Sequence, residues 1–172
     1  MAVKTNAELA AFFQTGDQPS ETEFGHLIDT IQPAHVLLTD ADTSITTADH
    51  AFRTLIVPNI SDNRTYTLPT PAVNTWFHFV YLPLVADSHT LTVATLTNGS
   101  HFYEGGIVHT DTNLGAGSVP DSDMIFGNGT NHDKFKILSA KGADFWIWGK
   151  SSTVWYIWGT SIGDTPSTID NS

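Results

Sequence analysis

Eight histidines are the residues best able to do chemistry in this chain, since imidazole ligates metals and exchanges protons near neutral pH. Their spacing assembles no centre: there is no His-x-x-x-His on a helix, no His-Glu-x-x-His and no His-x-His. His101 and His109 can approach across a hairpin with Glu104 in the turn between them, which is the one arrangement that could hold a metal. Loop or packing histidines are the plainer reading. Asp40/Asp42 and Asp121/Asp123 do not continue into a calcium loop, which needs glycine at its sixth place and glutamate at its twelfth. Asp121-Ser122-Asp123 after Pro120 reads as a turn. Of only four glutamates, three (Glu8, Glu21, Glu23) lie near the N-terminus, so an acid/base pair for glycoside hydrolysis finds little to draw on. There is no Gly-x-Ser-x-Gly elbow and no phosphate-cradling loop. Gly105-Gly106 and Gly127-Asn128-Gly129 read as β-turns, with a ligand loop the minor alternative. Zero cysteines remove disulfides, thiolate ligands and cysteine nucleophiles together. The expectation is a protein that is not an enzyme and holds no cofactor.

Aromatic chemistry is the richer signal. Phe145-Trp146-Ile147-Trp148-Gly149 is echoed by Trp155-Tyr156-Ile157-Trp158-Gly159, with Lys150-Ser151-Ser152-Thr153 between them as a hairpin loop. Strand alternation sets Trp146 and Trp148 against Phe145 and Ile147, and Trp155 and Ile157 against Tyr156 and Trp158. Aromatics thus occupy both faces. Trp146, Trp148, Trp155 and Trp158 are expected to form core or interface, with sugar stacking as a minor alternative to packing. A face not in the core must be covered or must meet a partner.

Two textures of chain position these residues. In the first, Thr5-Asn6-Ala7-Glu8 matches a capping box; Leu9, Phe12 and Phe13 follow on one face, and Gly16 stands where a helix ends. Ser20-Glu21-Thr22-Glu23 is a second box, with Phe24, Leu27, Ile28 and Ile31 at helical spacing until Pro33. Residues 1–34 are therefore expected as an arm of two short helices, marginal alone and in need of a partner. From Val36 the texture is of short Thr-, Val-, Ile- and aromatic-rich runs separated by Gly, Asn, Asp, Pro and Ser. The runs are Val36–Leu38, Phe52–Val57, Arg64–Leu68, Trp76–Leu82, Leu91–Leu96, Ile107–His109, Met124–Phe126, Lys134–Leu138, Phe145–Trp148 and Val154–Trp158. They predict a mainly β fold, an antiparallel β-sandwich or jelly roll over residues 35–165. Asp164 to Ser172 shows no pattern, so residues 166–172 are expected as a flexible tail.

Composition bounds the partners. The 172 residues carry 18 acids and 7 bases, a net charge of −11, yet only 15% of residues are charged. Typical domains reach about a quarter; solubility here rests on Thr, Ser, Asn and Gly, a surface common on extracellular and viral β-proteins. The acidity disfavours nucleic acid and anionic membranes. Met1 to Leu9 lacks an apolar run, so no signal peptide is expected, and no stretch has the length of a membrane span. Without secretion, the four Asn-x-Ser/Thr sites at Asn59, Asn63, Asn98 and Asn128 read as chance. The lysines Lys134, Lys136, Lys141 and Lys150 suggest a solvated strand face, or contact with an acidic neighbour.

The run Leu9 to Thr30, with Phe13-Gln14-Thr15-Gly16-Asp17-Gln18-Pro19-Ser20 and Phe24-Gly25-His26-Leu27-Ile28-Asp29-Thr30, resembles a segment common near the N-terminus of tailed-phage virion proteins. There a FxTGDxPT turn precedes a FxxLIDS helix; Ser20 and Thr30 depart from it conservatively. Tyr66-Thr67-Leu68-Pro69 with the strand Trp76 to Tyr81, then Lys134 to Leu138 and Trp155 to Thr160, is similar to β modules of the same proteins. The resemblance implies assembly rather than catalysis: a capsid decoration (cement) protein, trimeric and jelly-roll-like, on the capsid exterior. Its partners would be a homotrimer and the major capsid protein or a neighbouring virion protein. Leu9, Phe12, Phe13, Phe24, Leu27, Ile28 and Ile31 would dock the arm. The alternative is a tail-fibre or receptor-binding subunit recognising a host glycan.

Overall fold

The computed structural model describes residues 11, 20–23, 35–83, 88–112 and 121–171. Among the described residues, twelve strands fall into two sheets packed face to face. They are β1 (His35–Leu37), β2 (Thr43–Ser44), β3 (Thr54–Val57), β4 (Arg64–Thr67), β5 (Trp76–Tyr81), β6 (Thr90–Ala94), β7 (Phe102–Asp111), β8 (Asp121–Asn128), β9 (Lys134–Leu138), β10 (Ala140–Gly149), β11 (Val154–Gly163) and β12 (Thr168–Asp170). One short helix, α1 (Thr47–His50), joins β2 to β3. The Thr46 side chain accepts from the Asp49 amide to cap it.

The first sheet runs β1-β3-β5-β10-β11-β7-β8 and the second β12-β9-β6-β4-β2. From β1 to β6 the chain alternates sheets at every strand, so β1, β3 and β5 line up parallel in one sheet and β2, β4 and β6 parallel in the other. Parallel neighbours need a crossover, and here the opposite sheet's strand supplies it instead of a helix. The return half of the chain closes the structure with antiparallel contacts: β10 on β5, β11 on β10, β9 on β6 and β12 on β9. β7 lies parallel to β11 and antiparallel to β8.

The β-sandwich expected from sequence is therefore present, but its ladder is mixed, not antiparallel. An antiparallel jelly roll is replaced by a winding that strand texture cannot reveal, because period-2 alternation gives faces and not neighbours. Two further corrections concern the ends of strands. The segment 166–172, expected as a flexible tail, contains β12, whose Ile169 is buried against the core while Asp170 accepts from the Asp133 amide. Gly105-Gly106 and Asp121-Ser122-Asp123, expected as turns, lie within β7 and β8. The helical arm falls mostly outside the described residues. Its second capping box is in place: the Ser20 amide donates to Glu23 Oε2 at 2.7 Å and the Glu23 amide to Ser20 Oγ at 3.3 Å.

The core lies between the sheets. Phe77, Phe79, Phe145, Ile147, Trp155 and Ile157 of the larger sheet meet Tyr66, Leu91, Val93, Phe135 and Ile137 of the smaller one, all fully buried. Phe145 stacks on Phe79 at 5.2 Å and receives Phe135 edge-on at 5.0 Å across the sheets, the geometry that ring quadrupoles favour. The buried tyrosines find acceptors, Tyr66 on the Thr39 carbonyl and Tyr103 on the Val93 carbonyl. Burial pushes the Tyr66 phenol up to about 12.

Candidate functional site

The hairpin of β10 and β11 folds as its alternation predicts. Trp146 pairs with Trp158 and Trp148 with Tyr156, while the Lys150 amide donates to the Val154 carbonyl to close the loop. Phe145, Ile147, Trp155 and Ile157 turn inward. Trp155 is thus core, whereas Trp146, Trp148, Tyr156 and Trp158 lie on the outer face of the seven-stranded sheet.

Registers carry that outer face across the sheet in rows. Nearest the hairpin is Trp76-Trp148-Tyr156-Glu104-Asn128, and next to it His78-Trp146-Trp158-Gly106-Phe126. Farther along the strands come Leu37-Ile56-Val80-Asp144-Thr160-Val108-Met124, then Leu82 beside Gly142, Ile162, Thr110 and Ser122. One half of the face is aromatic; the other sets aliphatic side chains among Asp144, Thr160, Thr110 and Ser122. Leu37 is 70% exposed, Leu82 72%, Phe126 59% and Trp158 50%. Leucines and aromatics at those exposures therefore lie contiguous on one face.

The aromatic half is ordered by its own contacts. His78 stacks on Trp146 at 4.1 Å and 9°, Trp146 on Trp148 at 5.6 Å and 16°, and Trp148 on Trp158 at 6.2 Å and 6°. His78 is clamped at both nitrogens, by Thr54 Oγ1 at 3.1 Å and Asp144 Oδ1 at 2.7 Å, which fixes the base of the pile. Phe52 meets Trp76 edge-on at 5.9 Å and is held at φ 62°, a left-handed conformation that costs a bulky residue about 1–3 kcal/mol. Trp148, Tyr156, Trp158 and Lys150 enclose a shallow cleft of about 480 Å³. At its rim Lys150 Nζ donates to Glu104 Oε1 at 2.5 Å. The Tyr156 ring lies 3.1 Å from where a side chain on Gly105 would begin, and Phe126 3.0 Å from the same place on Gly106. The Ile157 carbonyl oxygen lies closer still to that place on Gly105, and the Ile125 carbonyl oxygen is 3.0 Å from it on Gly106. The two glycines thus admit neighbouring backbone and rings within the ladder rather than make a turn; nothing in their own spacing distinguishes these uses.

The remaining candidates disperse. His101 and His109 do not come together over Glu104, which pairs with Lys150 instead. Among the described residues no three His, Asp or Glu gather as a metal site. Asp40 takes Arg64 Nε at 2.7 Å and the Ser61 amide, and these donors hold its carboxyl down at about 2. Asp42 accepts from the Thr65 amide, so the pair pins a loop. Lys136, Lys141 and Lys150 pair with Asp170, Asp164 and Glu104 of the chain itself. The arm residues Leu9, Phe12, Phe13, Phe24, Leu27, Ile28 and Ile31 lie outside the described residues.

Sequence reasoning missed one buried cluster. His109 Nδ1 lies 2.9 Å from Ser161 Oγ and 3.3 Å from Ser167 Oγ, and the two hydroxyls are 3.2 Å apart. All three residues are buried and Nε2 has no partner. A serine beside a histidine invites a nucleophile reading, but this one is sealed between the sheets where no substrate reaches it. Burial lowers the His109 pKa, against the charges of Asp111 and Asp123. Comparison of the chain with protein-family models, with curated proteins and with solved structures finds no match.

Proposed function

We propose that this chain is a non-enzymatic structural subunit of a tailed-phage virion, a capsid decoration (cement) protein that trimerises and binds the outer capsid surface. The observation that carries the proposal is the outer face of the seven-stranded sheet, where Leu37, Ile56, Leu82, Val108, Met124 and Ile162 are all exposed. A sandwich that needs no second layer there has no internal reason to present so many large apolar side chains. Burial against neighbouring subunits supplies one. Many identical contacts around a shell then add through multivalency, so each can be modest.

The resemblance of Leu9 to Thr30 and of the β segments to virion proteins supports the same reading. So does the net charge of −11, which suits the outside of a shell better than the side facing packaged DNA. In this scheme the arm of residues 1–34 docks on the major capsid protein or a neighbouring virion protein. Immunogold labelling of particles of the phage that encodes the chain tests the placement. Label over the capsid shell is the expected result. Label confined to the tail tip would support the tail-fibre alternative, and unlabelled particles would overturn the structural reading altogether.

A further inference from the structure

The two halves of the outer face differ in chemistry, and the aromatic half is not built like an assembly surface. Aliphatic side chains adapt to a facing subunit; here three indoles are already stacked parallel, with His78 clamped beneath them. Ordering rings before a ligand arrives removes much of the entropy cost of binding. The cleft lined by Trp148, Trp158 and Tyr156 opens beside an ion pair rather than beside more aliphatic surface. Lys150 has three donors and Glu104 two acceptor oxygens; the single bond between them leaves the rest to meet hydroxyl groups. Asn128 stands next to Glu104 across the β7–β8 ladder, its side chain preset by Thr130 and Asn131. Gly129, at φ 74°, lets that loop sit against Glu104, whose Oε2 lies 3.3 Å from where a side chain would begin.

The geometry points to a saccharide-binding cleft at Trp148, Tyr156, Trp158, Lys150 and Glu104. A sugar ring presents a face of C–H groups and an edge of hydroxyls. The indole and phenol rings meet the face, and the Lys150–Glu104 pair meets the edge. Apolar walls with a few convergent polar groups are the usual make-up of a small-ligand site. The ligand is an uncharged sugar, because Lys150 is already neutralised by Glu104 and the chain as a whole repels anions. Nucleobases would also stack, but their phosphodiester backbone meets the same repulsion. Phe52 fits this assignment: strain stored at its backbone braces Trp76, which contacts Trp146 at 5.0 Å within the stack. The inference is independent of trimerisation, since it uses the rows nearest the hairpin and leaves the aliphatic rows for assembly.

The test is a titration of the full chain, followed by tryptophan fluorescence and calorimetry. The probes are maltohexaose, cellohexaose and chitohexaose as its N-acetyl form, with sialyllactose as the charged control. At least one neutral oligosaccharide is expected to give a saturable signal, and sialyllactose none. Trp158→Ala should weaken that binding roughly tenfold, with melting temperature and solution mass unchanged; Val108→Ala should leave it intact. No saturable response to any neutral probe up to roughly 10 mM overturns the proposal. So does wild-type affinity in Trp158→Ala, or a change in its oligomeric mass, which would make the stack an assembly contact.

Discussion

His109 shows how one residue can carry a pH dependence for the whole sandwich. Its ring sits between the sheets against Ser161 and Ser167, and burial, the dominant influence, lowers its pKa from the ordinary 6.5, while the charges of Asp111 and Asp123 oppose that partly. Between the lowered value and 6.5 the unfolded chain binds a proton that the folded chain refuses. Stability is therefore complete above 6.5 and declines as pH falls below it, by at most about 1.4 kcal/mol per pH unit, until the folded ring also protonates. His50, lowered by burial as well, adds in the same window. Asp40 and Asp164, held low by Arg64 and Lys141, act separately, losing their contributions only as pH falls below the ordinary 3.8. Urea melts of wild type and His109→Gln between pH 5 and 7.5 should show a shallower slope in the variant; identical slopes would place the pH dependence elsewhere. None of this was legible in the sequence. The serines stand 52 and 58 residues from the histidine, and only the pairing of β11 with β7 brings the first of them alongside.

At the scale of elements, legibility followed the strength of the period. The β10–β11 hairpin, with its repeated aromatic alternation, was readable down to which side chains share a face, but not to which face turns inward, because both carry aromatics. β9 was readable to the residue. β12 was not, because three residues cannot display a period and Ile169 is a lone large apolar side chain among polar neighbours. Its role is nonetheless that of core: Ile169 is 5% exposed, and β12 covers the edge of β9 through Thr168↔Lys136 and Asp170↔Lys134. Lys136 Nζ reaches Asp170 at 3.1 Å, though a partly exposed ion pair contributes little beside the buried isoleucine. Ile169→Ala should cost about 2–4 kcal/mol, read as a lower urea midpoint with an unchanged m-value. A frayed tail would tolerate the substitution without measurable loss. Thr168→Ala, on the half-buried face of the same strand, is the matched control and should cost under about 1 kcal/mol.

For the whole molecule, the question is what the winding accomplishes. Parallel coils from β1 to β6 extend the larger sheet on one side of β10, and β11, β7 and β8 extend it on the other, so seven strands share one outward face. A sheet this wide with one face on the core normally presents polar groups to water on the other. Here the rows far from the hairpin hold Leu37, Ile56, Leu82, Val108, Met124 and Ile162. Ile162 points outward beside Leu82 over a shallow depression of about 170 Å³, so a charge there leaves the monomer's core untouched. In a subunit interface the same charge is stripped of water, at a cost of several kcal/mol, and Lys141 at the edge of the depression, already paired with Asp164, offsets little of it. Light scattering after gel filtration should find the wild type trimeric and Ile162→Asp monomeric at the same concentration, with melting of the monomer close to that of other surface variants. A wild-type chain that is monomeric at roughly 100 μM, a concentration at which even micromolar contacts would associate, would remove trimerisation from the proposal. A trimer indifferent to Ile162→Asp would move its interface off this face, and the exposed aliphatic rows would then have to meet the capsid directly.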